Sequence, residues 1–269
     1  MADFINSGIV LRSSYYLNEI NLPSDLPDIS TATDVISDPI ARLRLNILRD
    51  SRRPFLARGA NLVRCSHCLL VDVLCICDQR PKLGTELALC LVFYPGEVFK
   101  PSNTGRLIAD VIADSHAVQW QRKQPPADLK TLLDDARYAP IVVFPYEYAE
   151  TERQLREDSD LYHYIAGRKP LLIFLDGTWR EARKMFRSDW LAGLPVIGIE
   201  PETVSQYQLR ESFHDHQWAT AEVAIPLLTR LNETAAGAAL AEYFMLFRER
   251  YLDGKANRYV RAQVKWPED

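Results

Sequence analysis

Four of the five cysteines lie close together in the chain, with the spacing C-x2-C-x6-C-x-C. They are Cys65, Cys68, Cys75 and Cys77. Two thiolates from one C-x2-C turn can reach the same ion, and a second close pair can complete a tetrahedron. Because four thiolates leave no open coordination position, the pattern predicts one structural Zn²⁺ rather than a catalytic metal. A disulfide pair or an iron–sulfur cluster is a weaker alternative.

A carboxylate and a tryptophan follow an apolar run in "LLIFLDGTWREARKMFR", residues 171–187. Asp176 at the end of a buried strand could accept a proton as a general base. The indole of Trp179 offers a flat face on which a nucleic-acid base could stack. We expect partial burial behind Trp179 to raise the pKa of Asp176. The alternatives are that Asp176 only fixes the turn at Gly177 and Thr178, and that Trp179 belongs to the core.

The helix that follows Asp176 is predicted to be strongly basic on one face. Thr178 and Glu181 have the T-x-x-E spacing of a capping box at its start. The basic residues at i, i+3, i+4 and i+7 are Arg180, Arg183, Lys184 and Arg187. Like charges on one face repel each other, so a polyanion would relieve the repulsion. A merely solvated face is the alternative.

Two further polar segments could contact a ligand. In "KPSNTGRLIAD", residues 100–110, Asn103 and Thr104 precede a predicted helix and are typical of its N-terminal cap. The free backbone N–H groups at such a terminus suit a carboxylate or a phosphate. In residues 207–228, a polar loop with Arg210 leads into Thr220 and Glu222, and we interpret it as a substrate flap.

These segments are positioned by alternating strand and helix patterns. Short apolar runs at 87–94, 117–120, 140–145, 170–176 and 195–200 predict strands. Helical patterns cover 103–115, 148–165, 178–186 and 234–255. The alternation predicts an α/β fold with a mostly parallel sheet and flanking helices. Ligands bind beyond the carboxyl ends of such strands, which puts "YPGEVFKPSNTG", "FPYEYAE" with Pro145, and "DGTW" on one rim.

Charge is unevenly distributed along the 269 residues, whose formal net charge is −4. Residues 41–64 carry seven arginines against one acid, Asp50. This asymmetry indicates a polyanion-binding face or an amphipathic helix that turns apolar residues inward. Those residues are Ile40, Leu43, Ile47 and Leu48. We find no apolar run of membrane-spanning length and no signal peptide, so we expect a cytoplasmic protein without a membrane partner.

Five of these segments, in order, resemble the DTW-domain family. They are the cysteine spacing, "KPSNTGRLIAD", "LDGTWREARKM", "YQLRE" and "TAEVAIPLL", over residues 61–255. The resemblance implies a SPOUT-like fold with a C-terminal trefoil knot that binds S-adenosylmethionine. It also implies transfer of the 3-amino-3-carboxypropyl group to N3 of a uridine in tRNA, with release of methylthioadenosine. No protein partner is implied.

The resemblance and the residue types together suggest a role for each residue of the candidate site. The catalytic residue is Asp176. The cofactor-binding residues are Asn103, Thr104, Pro145, Gly177, Thr178, Trp179, Thr220 and Glu222. The RNA-binding residues are Lys100, Arg106, Arg180, Arg183, Lys184, Arg187, Tyr207 and Arg210. The metal ligands are Cys65, Cys68, Cys75 and Cys77.

The same resemblance divides the chain and leaves two other functions open. We expect an N-terminal extension with an Arg-rich helix (1–60), a zinc knuckle (61–82), a catalytic domain (83–255) and a tail (256–269). The late motif departs from the family, since many relatives have Ser and Ala where this chain has Ala219 and Val223. The family's common His near Tyr94 is also missing. The alternatives are an RNA methyltransferase of similar fold and a non-catalytic zinc-knuckle RNA-binding protein.

Overall fold

A computed structural model describes residues 38–50, 62–198 and 218–259. Its sheet has five parallel strands in the order β2-β1-β4-β3-β5. The strands are β1 Ala88–Phe93, β2 Ser115–Gln119, β3 Tyr138–Val143, β4 Lys169–Asp176 and β5 Val196–Ile197. The prediction of an α/β fold with a mostly parallel sheet is therefore confirmed.

Seven α-helices lie in the described part of the chain. They are α1 Pro39–Asp50, α2 Gly105–Val111, α3 Ala127–Asp134, α4 Asp158–Ile165, α5 Trp179–Phe186, α6 Thr220–Arg230 and α7 Thr234–Lys255. Helix α3 was not predicted, and α6 forms around Pro226 where we expected a loop running into an apolar stretch. None of the described helices is both long and apolar enough to cross a membrane.

The predicted helix over 148–165 is wrong in its first half. Only Asp158–Ile165 is α-helical, and two short 3₁₀ turns precede it. The backbone N–H of Leu155 donates to the carbonyl of Val196 at 2.8 Å, and Gln154 forms a parallel bridge with Val196. A continuous helix would remove these groups from β5, so pairing at the sheet edge prevails over helical periodicity here.

The helices form one layer on each face of the sheet. Alternating residues of a strand point to opposite faces; in β4, Leu172 and Phe174 belong to one buried cluster and Ile173 and Leu175 to the other. Helices α1, α2, α4, α6 and α7 contribute to the first cluster, and α3 and α5 to the second. In α1, Ile40 is buried as predicted, but Leu48 is 44% exposed.

The order of the strands creates a crevice between β1 and β4. Helix α2 connects β1 to β2 on one side, whereas α5 leads from β4 towards β5 on the other side and the other face. Neighbouring strands whose connections diverge in this way open a crevice at their carboxyl ends, where ligands bind in open α/β sheets. Phe93 and Asp176 are partners at the end of the two strands.

The cysteine segment folds against the first face of the sheet. Arg64 and Val71 form an antiparallel bridge around a turn in which Leu69 has a positive φ of 57°. Leu70 and Ile76 are buried in the same cluster as α2 and α7. The trefoil knot and the SPOUT-like class stay predictions, because residues 199–217 between β5 and α6 lie outside the described part.

Candidate functional site

Asp176 lies on the floor of the crevice between β1 and β4 and is 3% exposed. The hydroxyl of Thr220 donates to its Oδ1 at 3.3 Å. A Cβ on Gly105 would lie only 1.9 Å from its Oδ2, so glycine at the start of α2 permits this close approach. Asp176 therefore holds the end of β4 against the first turns of α2 and α6.

Residues 100–104 form a buried loop above the same end of β1. Asn103 and Thr104 are 2% and 4% exposed. The predicted cap comes from Asn103, whose Oδ1 accepts from the N–H of Arg106 at 3.3 Å. The Oγ1 of Thr104 instead accepts from the N–H of Ala221 at 3.4 Å. The loop is thus joined to α6, which also bonds Asp176.

Glu222 has a clear role in the described structure as a cap of α6. Its Oε2 accepts from the backbone N–H of Ala219 at 2.8 Å, and the side chain is 8% exposed. Thr178 is the cap of α5, because its N–H and its hydroxyl both donate to Oε2 of Glu181, at 2.8 and 2.6 Å. This confirms the capping box predicted from T-x-x-E.

Trp179 lies on the opposite face of the sheet from Asp176. Its half-buried ring stacks on Phe144 with centroids 5.5 Å apart and meets the edge of Tyr148 at 5.4 Å. The expectation that Asp176 is buried behind Trp179 is therefore wrong, since the carboxylate packs against Gly105 and Thr220. Pro145 is half-buried between Phe144 and the 3₁₀ turn Tyr146–Tyr148.

The basic face of α5 is accessible and rests on aromatic rings. Arg180 and Arg187 are exposed. The guanidinium of Arg183 lies 5.1 Å from the ring centre of Tyr148. Lys184 donates to the hydroxyl of Tyr94 at 3.2 Å and lies 5.2 Å from the ring centre of Trp120. Cation–π contacts hold these cations in place without neutralising them.

Two predicted RNA contacts do not have a free side chain. Arg106 is 2% exposed, so the prediction that it contacts RNA is contradicted by its burial. Lys100 is half-buried and pairs with the buried Glu97. Tyr207 and Arg210 lie outside the described residues.

A second basic surface, which the sequence did not reveal, lines a cavity of about 640 Å³ between the cysteine segment, residues 99–102 and α7. Among the described residues, its lining contains basic side chains and no acidic ones. The basic residues are Arg64, Lys100, Arg250 and Lys255. Phe99 and Tyr251 add aromatic surface. No sequence signal places Arg250 and Lys255 on this surface, because they reach it only through the packing of α7 beside the cysteine segment.

The four cysteines of the C-x2-C-x6-C-x-C segment meet at one point. Their Sγ atoms all lie within 4.8 Å of one another, with Cys65 to Cys77 at 3.5 Å and Cys68 to Cys75 at 3.8 Å. Tetrahedral coordination with Zn–S bonds of about 2.3 Å requires sulfur atoms about 3.8 Å apart. The arrangement fits a single tetrahedral ion, so these four side chains could hold a metal.

His67, within the same segment, is engaged by carboxylates rather than by the sulfur atoms. Its Nδ1 lies 2.5 Å from Oδ2 of Asp38, and its Nε2 lies 2.8 Å from Oδ1 of Asp110. Burial alone would lower the pKa of His67, but hydrogen bonds to Asp110 and Asp38 outweigh it and raise the pKa to about 9. We infer that His67 ties the segment to α1 and α2.

The described structure is thus an α/β protein with a buried carboxylate in a crevice, a basic helix face and a tetrathiol cluster. The DTW domain family matches residues 62–252, and the chain belongs to this family. The chain is also 23% identical over 176 residues to tRNA-uridine aminocarboxypropyltransferase 2 from Mus musculus, a match that spans 63% of this chain. The match covers 56% of the length of that relative. No solved structure matches the chain.

Proposed function

We propose that the protein is an S-adenosylmethionine-dependent tRNA-uridine aminocarboxypropyltransferase. The proposal rests above all on the DTW match over 62–252, which includes both the crevice and the tetrathiol cluster. The name of the mouse relative supports the same activity. The reaction would take place in the cytoplasm, and tRNA would be the partner. Residues 83–255 would be the catalytic domain, residues 61–82 its zinc knuckle, and 1–60 and 256–269 an extension and a tail.

The chemistry of the crevice suits the proposed co-substrate. S-adenosylmethionine carries a positive sulfonium, and the buried carboxylates Asp176 and Glu222 at this rim provide a negative environment for it. Asn103, Thr104, Gly177 and Thr178 border the crevice from the ends of β1 and β4. Thr220 approaches from α6, whereas Pro145 and Trp179 would act from the neighbouring end of β3 and the other face.

The reaction requires a base and a correctly oriented electrophile. S-adenosylmethionine supplies a methylene carbon that forms a C–N bond with N3 while the C–S electron pair remains on sulfur, which yields methylthioadenosine. Asp176 accepts the N3 proton, for which its carboxylate must lie within hydrogen-bond reach of the uracil. Thr220 orients this carboxylate through Oδ1. Residues that orient the co-substrate decide which of its carbons faces N3.

The RNA-binding surface is the basic face of α5, with Lys100 and the segment of Tyr207 and Arg210 as further contacts. Arg180, Arg183, Lys184 and Arg187 would neutralise phosphates of the tRNA. A base modified at N3 must leave its stack or pair, and aromatic rings such as Trp179 can receive it. The aromatic rings under α5 support this assignment.

The decisive experiment incubates the purified protein with S-adenosylmethionine and unmodified tRNA and identifies the nucleoside formed by mass spectrometry. We expect uridine with an added aminocarboxypropyl group. An added methyl group would establish the methyltransferase alternative, and unmodified RNA would favour the non-catalytic RNA-binding alternative.

A pair of variants separates the proposed base from a turn-fixing residue. Asp176→Asn keeps the size of the side chain and can still bond Thr220, but it cannot accept the proton. We expect the rate to fall by about 10² to 10⁴ in Asp176→Asn, and by at least as much in Asp176→Ala. Wild-type activity of Asp176→Asn together with an inactive Asp176→Ala would assign Asp176 a structural role only.

A further inference from the structure

The basic cavity between the cysteine segment, residues 99–102 and α7 is not used by the proposed transfer reaction. Its volume of about 640 Å³ lies within the range of ordinary ligand sites, roughly 300 to 1,000 Å³, and can enclose a nucleotide. Its lining combines cations with apolar side chains, which suits a ligand that has both a flat apolar part and a negative charge. The apolar part of the lining is Leu62, Leu70, Val71 and Pro101 with the rings of Phe99 and Tyr251.

The cations of this cavity are only partly compensated by the protein. Lys100 pairs with Glu97. The Nη1 of Arg64 donates to a backbone carbonyl at 3.0 Å, which carries no charge. Arg250 and Lys255 form no ion pair with another of the described residues. Like charges around one cavity repel each other, and an anionic ligand relieves the repulsion. S-adenosylmethionine is itself cationic, so this cavity is a poor site for the co-substrate.

Residues 99–102 place the cavity close to the crevice. Ser102 lines the cavity, and three residues further along the chain Gly105 lies against the carboxylate of Asp176. Three residues span at most about 11 Å of chain. An RNA strand whose uridine occupies the crevice would therefore reach the cavity within a few nucleotides.

An unpaired strand fits this cavity better than a duplex. Double-stranded RNA is recognised across its grooves, and its bases stay inside the helix. A single strand can turn one base out into a pocket, where the base packs on aromatic side chains while cations bind the phosphates. The cavity offers both kinds of contact, from the cysteine segment, from residues 99–102 and from α7.

We propose that this cavity binds one unpaired nucleotide of the RNA substrate, a few positions along the strand from the uridine in the crevice. The base packs against the apolar part of the lining, and Arg64, Arg250 and Lys255 neutralise the adjoining phosphates. No bond is made or broken there, so the cavity contributes affinity and the register of the strand. It depends on the proposed function in one respect, namely that the substrate is RNA.

The first test fills the cavity without changing its charge. Gly254 lines the cavity from α7, and a Cβ there would lie 3.4 Å from Cγ2 of Val71 and 3.5 Å from Cδ1 of Leu74, which are ordinary contacts. We expect Gly254→Phe to weaken binding of unmodified tRNA to the full-length, zinc-loaded protein at least about five-fold, through loss of one base contact. Gly254→Ala adds only the Cβ and should bind as wild type does. Equal affinities of Gly254→Phe and Gly254→Ala would overturn the proposal.

Kinetic constants separate the cavity from the crevice. Because the cavity holds no reacting group, Gly254→Phe should raise the KM for tRNA and leave kcat within about two-fold of wild type. A fall in kcat at unchanged KM would mean that the substitution acts through residues 99–105 on the crevice, and the proposal would be wrong. Should the wild-type protein modify no tRNA, the proposed function fails, and the binding measurement still decides whether the cavity holds RNA.

A cross-linking measurement decides the matter even if Gly254→Phe fails to fold, as judged by its Tm and zinc content. The exposed Lys255 is replaced by the photoreactive p-benzoylphenylalanine, the protein is irradiated with bound tRNA, and the cross-linked nucleotide is mapped by reverse transcription. We expect one unpaired nucleotide, within a few positions of the modified uridine. The same replacement at the exposed Lys130 on α3 is the control and should not cross-link to that nucleotide. Cross-links from position 255 to paired nucleotides only, or none at all, would refute the proposal.

Discussion

Two groups of basic residues in this protein look alike in the sequence and differ in the structure. Arg106 lies in the first turn of α2 and Arg183 in α5, and both helices begin after a polar loop at the end of a strand. Helix α2 is enclosed between the sheet and α7, whereas α5 covers the other face and turns one side outward. An exposed arginine can neutralise a mobile polyanion, but a buried one needs a fixed anion inside the protein.

The largest effect expected from this comparison is that of metal removal. We expect chelation to lower the Tm by roughly 10 °C, because the four cysteines would lose the ion that holds their segment together. Circular dichroism during thermal unfolding would measure this shift, with the protein reloaded with Zn²⁺ as the control. An unchanged Tm of the metal-free protein would show that the stability of the cysteine segment does not depend on the ion.

Reversing two charges on the basic face of α5 should weaken RNA binding and leave the metal unaffected. For Arg183→Glu combined with Lys184→Glu, we expect the affinity for tRNA to fall by about ten-fold or more and the salt dependence to flatten by about 2 in slope. Filter binding over a range of salt concentrations gives both values. Lys130→Glu on α3, on the same face of the sheet, is the control and should bind nearly as well as wild type. An unchanged salt slope would remove α5 from the RNA surface.

The cavity beside α7 is expected to contribute less to RNA binding. Arg250→Glu and Lys255→Glu together should weaken tRNA binding about three-fold, since the cations of this surface are spread over several elements. The same filter-binding assay applies. A loss larger than that of the α5 variant would reverse the ranking and make this cavity the principal RNA contact.

The smallest effect is expected for the ion pair of Asp114 and Lys169 at the amino end of β2. Burial alone would raise the pKa of Asp114, but the hydrogen bond from Lys169 outweighs it and lowers the pKa below the usual 3.8. The stabilisation is thus complete above pH 3.8 and is lost as the pH falls below it. Asp114→Asn should cost about 1 kcal/mol or less at pH 7, because the pair is only half-buried and water still screens it. Urea unfolding at pH 7 and pH 3 should show the difference shrinking at the lower pH.

The fold was predictable where one local signal determined the outcome. The cysteine spacing, the T-x-x-E cap and the apolar runs each depend on residues that are neighbours in the chain, and each has its counterpart in the structure. The strand order β2-β1-β4-β3-β5 was not predictable, because it depends on which helices pack on which face. That order is what brings residues 94–104 and Asp176 to the same crevice.

The candidate site was harder to predict because it depends on the face of the sheet on which each residue lies. Asp176 and Trp179 are three residues apart, but the first ends a strand and the second begins a helix on the other face. Arg106 carries a charge that predicts exposure, and only the packing of α2 against Phe247 reveals its burial. Whether Asp176 is a base remains a prediction that depends on the bound uridine.

Helix α2 is only seven residues long, and adjacent positions on it face very different neighbours. Gly105 lies against the oxygen of Asp176 and Arg106 on the ring of Phe247, while Asp110, one turn further along, bonds His67 of the cysteine segment. Oxidation of a single cysteine would therefore also shift the carboxylate of Asp176. Helix α2, which connects the two, is too short to absorb a displacement of the cysteine segment. An assay that follows product alone would then attribute to the site a loss of activity that originates in structural damage at the cysteine segment.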